Sequence, residues 1–443
     1  MKIEIPWGDK SLGIRLPSSW DVIYPCEPVM QQGRQVDEQS IVSEALNNPI
    51  GDKPLAKKQL SGKNILIVVD DNTRPTPVYK FFHLIIDALE SAGATPESIT
   101  TLTALGIHTP MSGEEMAQKI GRKNIERIFW ENHDAFDDKR NVYMGKTESG
   151  TPVYLNRRIK EADVVVLVGL IEPHLMAGFG GGMKNILPGI ASAYTIGHHH
   201  EILAKPPYQA NRVGMAPEEN LFRLDLEDVR NMINADIFCI NTVLDPSGKV
   251  TACFAGDPIK SHRVGVKYTI KHLGVKLDRQ VDGVITCSWP MDINFKQSMK
   301  CVGNTLPALK KGGVVMGFLK AERGLDDIPV PDGSPIPLPV VKRILRILGP
   351  SRVYGFLNMA KKGMDIEEKF LYYYTLQLIR EYELYLYVPS LTKETIKKLF
   401  FFKGVNTDPD EVIRMGAKKL DKNATVAVFT RGGASFPVMG QST

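Results

Sequence analysis

The chain has 443 residues, more than one hydrophobic core usually serves, so two domains are the default expectation. Hydrophobic residues make up 43% and charged ones 24%, the balance of an ordinary soluble globular protein. The net charge of +5 is small for this length, and no Lys/Arg run or aromatic-interleaved basic stripe is present, which argues against nucleic acid as a partner.

The five cysteines, Cys26, Cys239, Cys253, Cys287 and Cys301, form no C-x-x-C pair and no metal-ligand spacing. Scattered thiols in odd number fit a reducing cytoplasm. The opening MKIEIPWGDK has no apolar signal core, and no apolar run approaches the ~18 residues that cross a bilayer. A cytoplasmic protein without a membrane partner is therefore expected.

The first sixty residues show little periodicity beyond two short strands, Lys2–Ile5 and Leu12–Leu16. Asn64–Asp70 reads as a buried strand, followed by Asp71-Asn72-Thr73-Arg74-Pro75-Thr76-Pro77 and then an amphipathic helix over Val78–Ala92, with Pro77 near its first turn. Ile99–Leu105 is another strand, ending in Gly106-Ile107-His108-Thr109-Pro110. Ser112 and Glu115 have the spacing of a capping box for the next helix. Asp163–Leu170 is a third strand, and it runs into EPHLMAGFGGGMKNILPGIASAYTIGHHH, residues 172–200. Strand Asp236–Leu244 and helix Asp257–Gly274 follow. After a polar junction near Leu277–Asp282 the alternation resumes. Gly283–Ser288, Gly313–Leu319, Arg352–Phe356, Leu384–Val388 and Thr425–Thr430 read as strands. Asn294–Leu309, Pro339–Leu348, Asp365–Tyr382, Thr392–Phe401 and Asp408–Leu420 read as helices. Strands alternating with helices predict an α/β fold of two domains, 1–276 and 277–443, with mostly parallel sheets flanked by helices.

Polar clusters follow the strands: Asp71/Thr73/Arg74, His108/Thr109, His174 and, in the second half, Asp292/Asn294/Gln297/Lys300. Strand C-terminal ends are where open α/β sheets bind ligands, and an interdomain cleft is the expected place for the site. Each cluster also has a plain reading. The Gly178, Gly180, Gly181, Gly182 run matches neither a P-loop, because Met183 stands before Lys184, nor G-x-G-x-x-G, and it could be a turn. Glycines also let backbone approach a ligand closely. Adjacent histidines 198–200 do not face one way, so one or two at most could ligate one ion. Asp71-x-Thr73-Arg74 could be a helix start, although arginine also offers a fork for carboxylate or phosphate. Gln297 and Lys300 share a face of a predicted helix. His83, His133, His262 and His272 read as structural.

Together the motifs D-x-T-R-P-x-P (71–77), G-x-H-T-P (106–110), E-P-H (172–174), G-F-G-G-G-x-K-x-I-L-P-G (178–189) with His200 beyond, A-G-D-P (255–258) and D-x-N-x-x-Q-x-x-K (292–300) resemble the nickel-pincer lactate racemase family. They stand in that family's order and run from about Asn64 to Lys300. The resemblance implies two α/β domains and a 2-hydroxyacid racemase or epimerase, working by proton-coupled hydride transfer through a 2-oxo acid. It implies a nickel-pincer nucleotide (pyridinium-3,5-bisthiocarboxylic acid mononucleotide nickel) attached at Lys184, with His200 as the protein's nickel ligand. His108 and His174 become the acid–base pair. Asp71, Thr73, Arg74, Gly180, Gly181 and Gly182 become cofactor contacts, and Arg74, Gln297 and Lys300 substrate contacts. Cofactor-biosynthesis proteins are the implied partners.

The sequence departs from that pattern at Lys296, where lactate-acting relatives carry tyrosine, and Tyr354 and Phe356 are the candidates for an aromatic contact from the second domain. Two other readings stand beside it. An oxidoreductase acting on 2-hydroxy acids fits the α/β pattern but lacks the dinucleotide fingerprint. A non-catalytic protein binding small organic anions fits the clusters but needs none of the histidines.

Overall fold

All seven residues of Val164–Leu170 are buried, as are all six of Ile65–Asp70. Runs of Val, Ile and Leu covered on both faces are what parallel sheets require. The structure, a computed structural model, describes residues 1–25, 37–204, 212–245, 247–326, 330, 333–334, 336–360 and 375–439. The chain divides into two compact units, one of Met1–Val29, Arg212–Gly214 and Leu273–Thr443, the other of Met30–Asn211 and Met215–His272.

In chain order the first unit opens with a hairpin, β1 (Lys2–Trp7) and β2 (Lys10–Arg15), and β3 (Asp21–Ile23). The second unit supplies β4 (Ile65–Asp70), β5 (Ile99–Ala104), β6 (Phe129–Asn132), the hairpin β7 (Asn141–Lys146) and β8 (Pro152–Asn156), and β9 (Val164–Leu170). It continues with the short pair β10 (Pro173–His174) and β11 (Gly178–Phe179), then β12 (Asp236–Leu244) and β13 (Val250–Gly256). The chain then returns to the first unit with β14 (Gly274–Leu277), β15 (Val281–Cys287), β16 (Leu309–Phe318), β17 (Glu383–Tyr387), β18 (Lys403–Val405), β19 (Thr425–Phe429) and β20 (Phe436–Met439).

The second unit is built on a six-stranded sheet in the order β13-β12-β9-β4-β5-β6, parallel except at the β12–β13 edge. Ile65, Ile67 and Val69 on one face pack with Val166, Val168 and Ile240, and against Phe82, Ile85, Ile86 and Leu89 of helix Phe82–Ser91. Helix Gly113–Ile120 adds Met116 and Ile120, and its start is the expected capping box: Ser112 Oγ accepts from Glu115 N (3.3 Å) while Ser112 N donates to Glu115 Oε2 (2.7 Å).

The first unit carries an all-parallel sheet, β18-β17-β16-β15-β19-β3. The first 29 residues lie in this unit rather than with residues 30–211, a division that differs from 1–276 and 277–443. The cause is local: β3 pairs with β19, and Ile3, Ile5, Ile14, Leu16 and Trp20 share a core with Ile285, Val314, Met316 and Val426. Arg352–Phe356 is not a strand. It lies inside helix Leu338–Ala360, which bends at Gly349 (φ 72°), so the apolar pattern there belongs to a kinked helix. Of the expected helix Asp365–Tyr382, residues 375–381 are helical and 365–374 lie outside the described residues. Among the described residues no helix is long and apolar enough to cross a membrane.

Candidate active site

The strand order of the second unit reverses at β4. The chain runs from β4 outward to β5 and β6, then returns to lay β9 on the other side of β4. At such a switch point the loops leave in opposite directions and open a crevice at the C-terminal edge. The register makes that edge level, with Asp70 opposite Ala104 and Val69 opposite Val168. Segments 71–74, 105–108 and 171–174 therefore emerge side by side.

Asp71 is buried at the end of β4. Its Oδ1 accepts from Thr73 N (2.9 Å) and Thr73 Oγ1 (2.5 Å), and its Oδ2 lies 2.6 Å from His108 Nδ1. Burial alone would raise the Asp71 carboxyl, but the hydrogen bond and charge of His108, the Thr73 hydroxyl and Arg74 hold it below its ordinary value. A carboxylate can only accept, so Nδ1 of His108 carries the proton and Nε2 keeps the lone pair.

His174 has the opposite setting. Its Nδ1 accepts from the backbone N–H groups of Met176 (3.3 Å) and Ala177 (3.2 Å) in the tight turn that pairs β10 with β11. The proton of the neutral ring therefore sits on Nε2. Two residues upstream, Glu172 Oε1 lies 3.2 Å from Arg74 Nε across the switch point, leaving the terminal nitrogens of the guanidinium as its fork.

Two amides of the glycine segment are engaged within the protein. Gly180 N donates to the Glu172 carbonyl (2.7 Å) and Gly182 N to Asn241 Oδ1 (2.8 Å), so these amides are spent inside the protein. Glycine is required for another reason. Gly181 has φ +74°, and a Cβ there would lie 2.8 Å from Asn241 Oδ1. The segment leads into a turn of 3-10 helix, Gly182–Asn185, which carries Lys184. Burial first, then the charges of Arg74 and Arg223, pull the Lys184 amine down to about 7, against the opposing pull of Glu172 and Asp71. Such an amine is substantially neutral, and so nucleophilic, near neutral pH.

The three histidines end helix Ala193–Glu201, and they separate as adjacent helical positions must. His198 Nδ1 donates to Tyr194 O (2.9 Å). His199 is fully buried, its Nδ1 2.7 Å from Asp225 Oδ2, and among the described residues its Nε2 has no hydrogen-bond partner. His200 Nδ1 donates to Ile196 O (2.6 Å), which leaves Nε2 as the lone-pair nitrogen. Burial, His199 and Lys184 press the His200 ring down to about 3, so it is neutral. Among the described residues no three His, Cys, Asp or Glu are grouped to hold a metal ion.

In the first unit, Asp292 follows β15 at that sheet's own reversal, where it is buried and bonded to Ser288 and to Gly8 N (3.1 Å). Asn294 caps the short helix Phe295–Ser298 by accepting from Gln297 N (2.9 Å). Gln297 and Lys300 are half-buried and Lys296 is exposed. Of the two aromatic candidates, Phe356 is exposed, and Tyr354 lies on the same helix.

Four residues outside the expected set hold the site together. Arg223 and Asp225 come from helix Leu221–Asp228, Asn241 from β12, and His262 from helix Lys260–Leu273. All four are buried. The visible signal is R-x-D-x-E at 223–227, alternating with Leu in a segment otherwise apolar enough to be core. Charges in such a place demand partners.

The fold defines an α/β protein that brings imidazoles, a guanidinium and a part-buried amine to the switch point of one sheet. A family model, the lactate racemase N-terminal domain, matches residues 7–211. Lactate racemase from Thermoanaerobacterium thermosaccharolyticum is 33% identical over 317 residues, 71% of this chain and 73% of the relative. That from Lactiplantibacillus plantarum is 32% identical over 294 residues, 66% of this chain and 68% of the relative. The solved apoprotein of lactate racemase from Thermoanaerobacterium thermosaccharolyticum superposes with a TM-score of 0.80 at 26% identity, covering 100% of both chains. A Thermotoga maritima protein shares the fold at a TM-score of 0.57 and 17% identity, over 93% of this chain and 98% of that one. The chain belongs to the lactate racemase family and is an isomerase of the racemase kind.

Proposed function

We propose that this enzyme racemises or epimerises a 2-hydroxy acid, lactate or a close relative, through a 2-oxo acid intermediate. It would do so with a nickel-pincer nucleotide attached at Lys184 and ligated by His200. The observation that carries the reading is the gathering at one switch point of the Asp71–His108 dyad, the Glu172-held Arg74 and His174, with the part-buried Lys184 amine within reach of the Arg74, Glu172 and Asp71 charges.

The residues present fit the cofactor. His200 offers a neutral imidazole in the ligand tautomer, its other nitrogen fixed by Ile196 O. The protein alone supplies no chelate among the described residues, and a cofactor bringing its own carbon and sulfur donors would complete the set. Asp71, Thr73 and Arg74 would meet it from the end of β4, while Gly180, Gly181 and Gly182, whose Cα faces lie against the Leu170 carbonyl, Asn241 and His262, would shape the turn that carries Lys184. When bound, the cofactor supplies a hydride acceptor, which spares the protein the removal of a carbon-bound proton beside a carboxylate.

The chain's own residues do the rest. Arg74 anchors the substrate carboxylate through its terminal nitrogens, and Gln297 and Lys300 are assigned substrate contacts on the family pattern. His108 takes the hydroxyl proton at Nε2 while Asp71 steadies the cation that forms. His174 donates a hydrogen bond through Nε2–H to the same oxygen. For the mirror-image substrate the two exchange roles, and His174 must then shift its ring proton to Nδ1 against two amide donors. The cytoplasm, a 2-hydroxy acid partner and cofactor-biosynthesis proteins belong to the same proposal.

The test is to make the protein together with the cofactor's biosynthetic enzymes and measure intact mass, peptide map and metal. A mass gain on the peptide carrying Lys184 with one nickel per chain is expected. Unmodified Lys184 and no nickel under those conditions would contradict the proposal.

A further inference from the structure

Among the described residues Arg223 is one of the largest fully buried side chains, and nothing in the motifs above assigns it a role. It lies on helix Leu221–Asp228, which also buries Phe222, Asp225, Leu226 and Glu227. Its Nη1 donates to Gly181 O (3.1 Å) and its Nη2 to Phe179 O. The carbonyl between them, Gly180 O, accepts from His262 Nε2 (2.8 Å). Three successive carbonyls of the glycine segment are thus held by buried donors, and Asn241 holds the next amide, Gly182 N (2.8 Å). Lys184 projects from the turn that begins at that amide.

The guanidinium is poorly neutralised. Glu227 lies 3.8 Å away, but it is engaged more closely by Arg263 at 2.6 Å. Burial draws Arg223 down to about 10, so it stays charged near neutral pH. An incompletely compensated cation in a low-dielectric interior acts on charges several ångströms off.

We propose that Arg223 is a positioning residue for Lys184: its fork fixes the segment that carries the lysine, and its charge opposes a second charge on the amine. The groups acting on that amine come from every side of the crevice. Asp71 and Arg74 follow β4, Glu172 follows β9, and His199 and His200 end helix Ala193–Glu201. Burial acts on the amine most strongly; among the charges Arg74 comes first and Arg223 second, with Glu172, paired to Arg74, and Asp71, paired to His108, opposing them. The inference rests on Lys184 as the attachment point, because a neutral amine held in a fixed direction is what bond formation to a cofactor requires.

The experiment uses protein made without the cofactor pathway. It is pulsed with trace acetic anhydride across pH, and labelling of Lys184 is read by peptide mass spectrometry against surface lysines. Half-maximal reactivity is expected near pH 7 in the native protein. Arg223→Gln should raise that midpoint by about one pH unit, so the neutral fraction at pH 7 falls from about one half to about one tenth and labelling slows roughly fivefold. Arg223→Lys should restore most of the midpoint, yet leave hydrogen exchange at residues 180–184 faster than in the native protein. A folded Arg223→Gln protein with an unmoved midpoint overturns the proposal. Should that variant not fold, Glu227→Gln gives the opposite sign: losing a negative charge from the cluster must lower the midpoint, and a midpoint that stays or rises overturns it equally. Because labelling needs no cofactor, the result is independent of whether Lys184 later gains mass.

Discussion

Asp71→Asn separates a catalytic dyad from an ordinary turn. The substitution keeps the side chain's shape, and the Asn oxygen can still accept from Thr73 N and Thr73 Oγ1, at 2.9 and 2.5 Å in the native protein. The amide nitrogen then faces His108 Nδ1, where the native carboxylate sits 2.6 Å away. It donates where the carboxylate accepted, so the imidazole proton moves to Nε2, the nitrogen that takes the substrate proton in the proposed mechanism. Losing the charge-assisted bond costs about 1.5–3 kcal/mol, or roughly 10- to 150-fold in rate. The wrong tautomer adds more; the same change in a serine protease triad costs about 10⁴ in kcat. Because the His108 side chain is 39% exposed, solvent screening favours the lower part of that range. A fall in kcat/KM of about 10²–10³ is expected. The assay is chiral chromatography of initial rates at equal Lys184 modification, with thermal melting as the folding control. A folded, fully modified Asp71→Asn enzyme within about threefold of the native rate would refute the dyad.

Glu172→Gln should weaken the hold on Arg74 Nε, now 3.2 Å from Glu172, and raise KM about tenfold with little change in kcat; an unchanged KM contradicts the fork assignment. Unequal tautomers at His108 and His174 predict different kcat and KM for the two enantiomers. Their kcat/KM values must still agree for a single-centre racemase, because the equilibrium constant is one, so identical kcat values would count against the asymmetry. His133, buried between Asn156 Nδ2 (3.2 Å) and Ala191 O (3.0 Å), is drawn down to about 4, by burial above all. Its folded value lies below the ordinary 6.5, so the unfolded chain binds the extra proton between those pH values and stability falls as pH drops from about 6.5 to 4. The loss is up to about 3 kcal/mol. His133→Gln should flatten urea-melt stability over that range relative to the native protein, and an equal slope rules out this histidine as the source.

What the sequence made legible was whatever repeats with a period or stands beside a strand end. Ile65–Asp70, Ile99–Ala104 and Val164–Leu170 fell within a residue or so of expectation because buried parallel strands are rich in Val, Ile and Leu, with β-branched Thr alternating in the case of Ile99–Ala104. Their shared edge could then be inferred, but the reversal at β4 that opens the crevice is topology and has no local signature. Arg352–Phe356 misled because a kinked helix at Gly349 breaks the 3.6-residue period. The glycine run showed that backbone comes close to something, without saying what. Its neighbours are Asn241 Oδ1, His262 and the Leu170 carbonyl, all protein. The roles of Arg223, Asp225 and His262 could not be read because their hydrogen-bond partners are distant in sequence: Gly181 O is 42 residues from Arg223, His199 is 26 from Asp225 and Gly180 O is 82 from His262.

The most direct test of the central claim is a chiral time course on enzyme whose Lys184 modification has been verified by mass. Starting from pure D- or pure L-lactate, and in parallel from a panel of larger 2-hydroxy acids, the account predicts that at least one acid converges from both sides on the same mixture, with no net oxo acid and no nicotinamide consumed. Modified enzyme that leaves every enantiomer as supplied, or that accumulates the oxo acid, would contradict it.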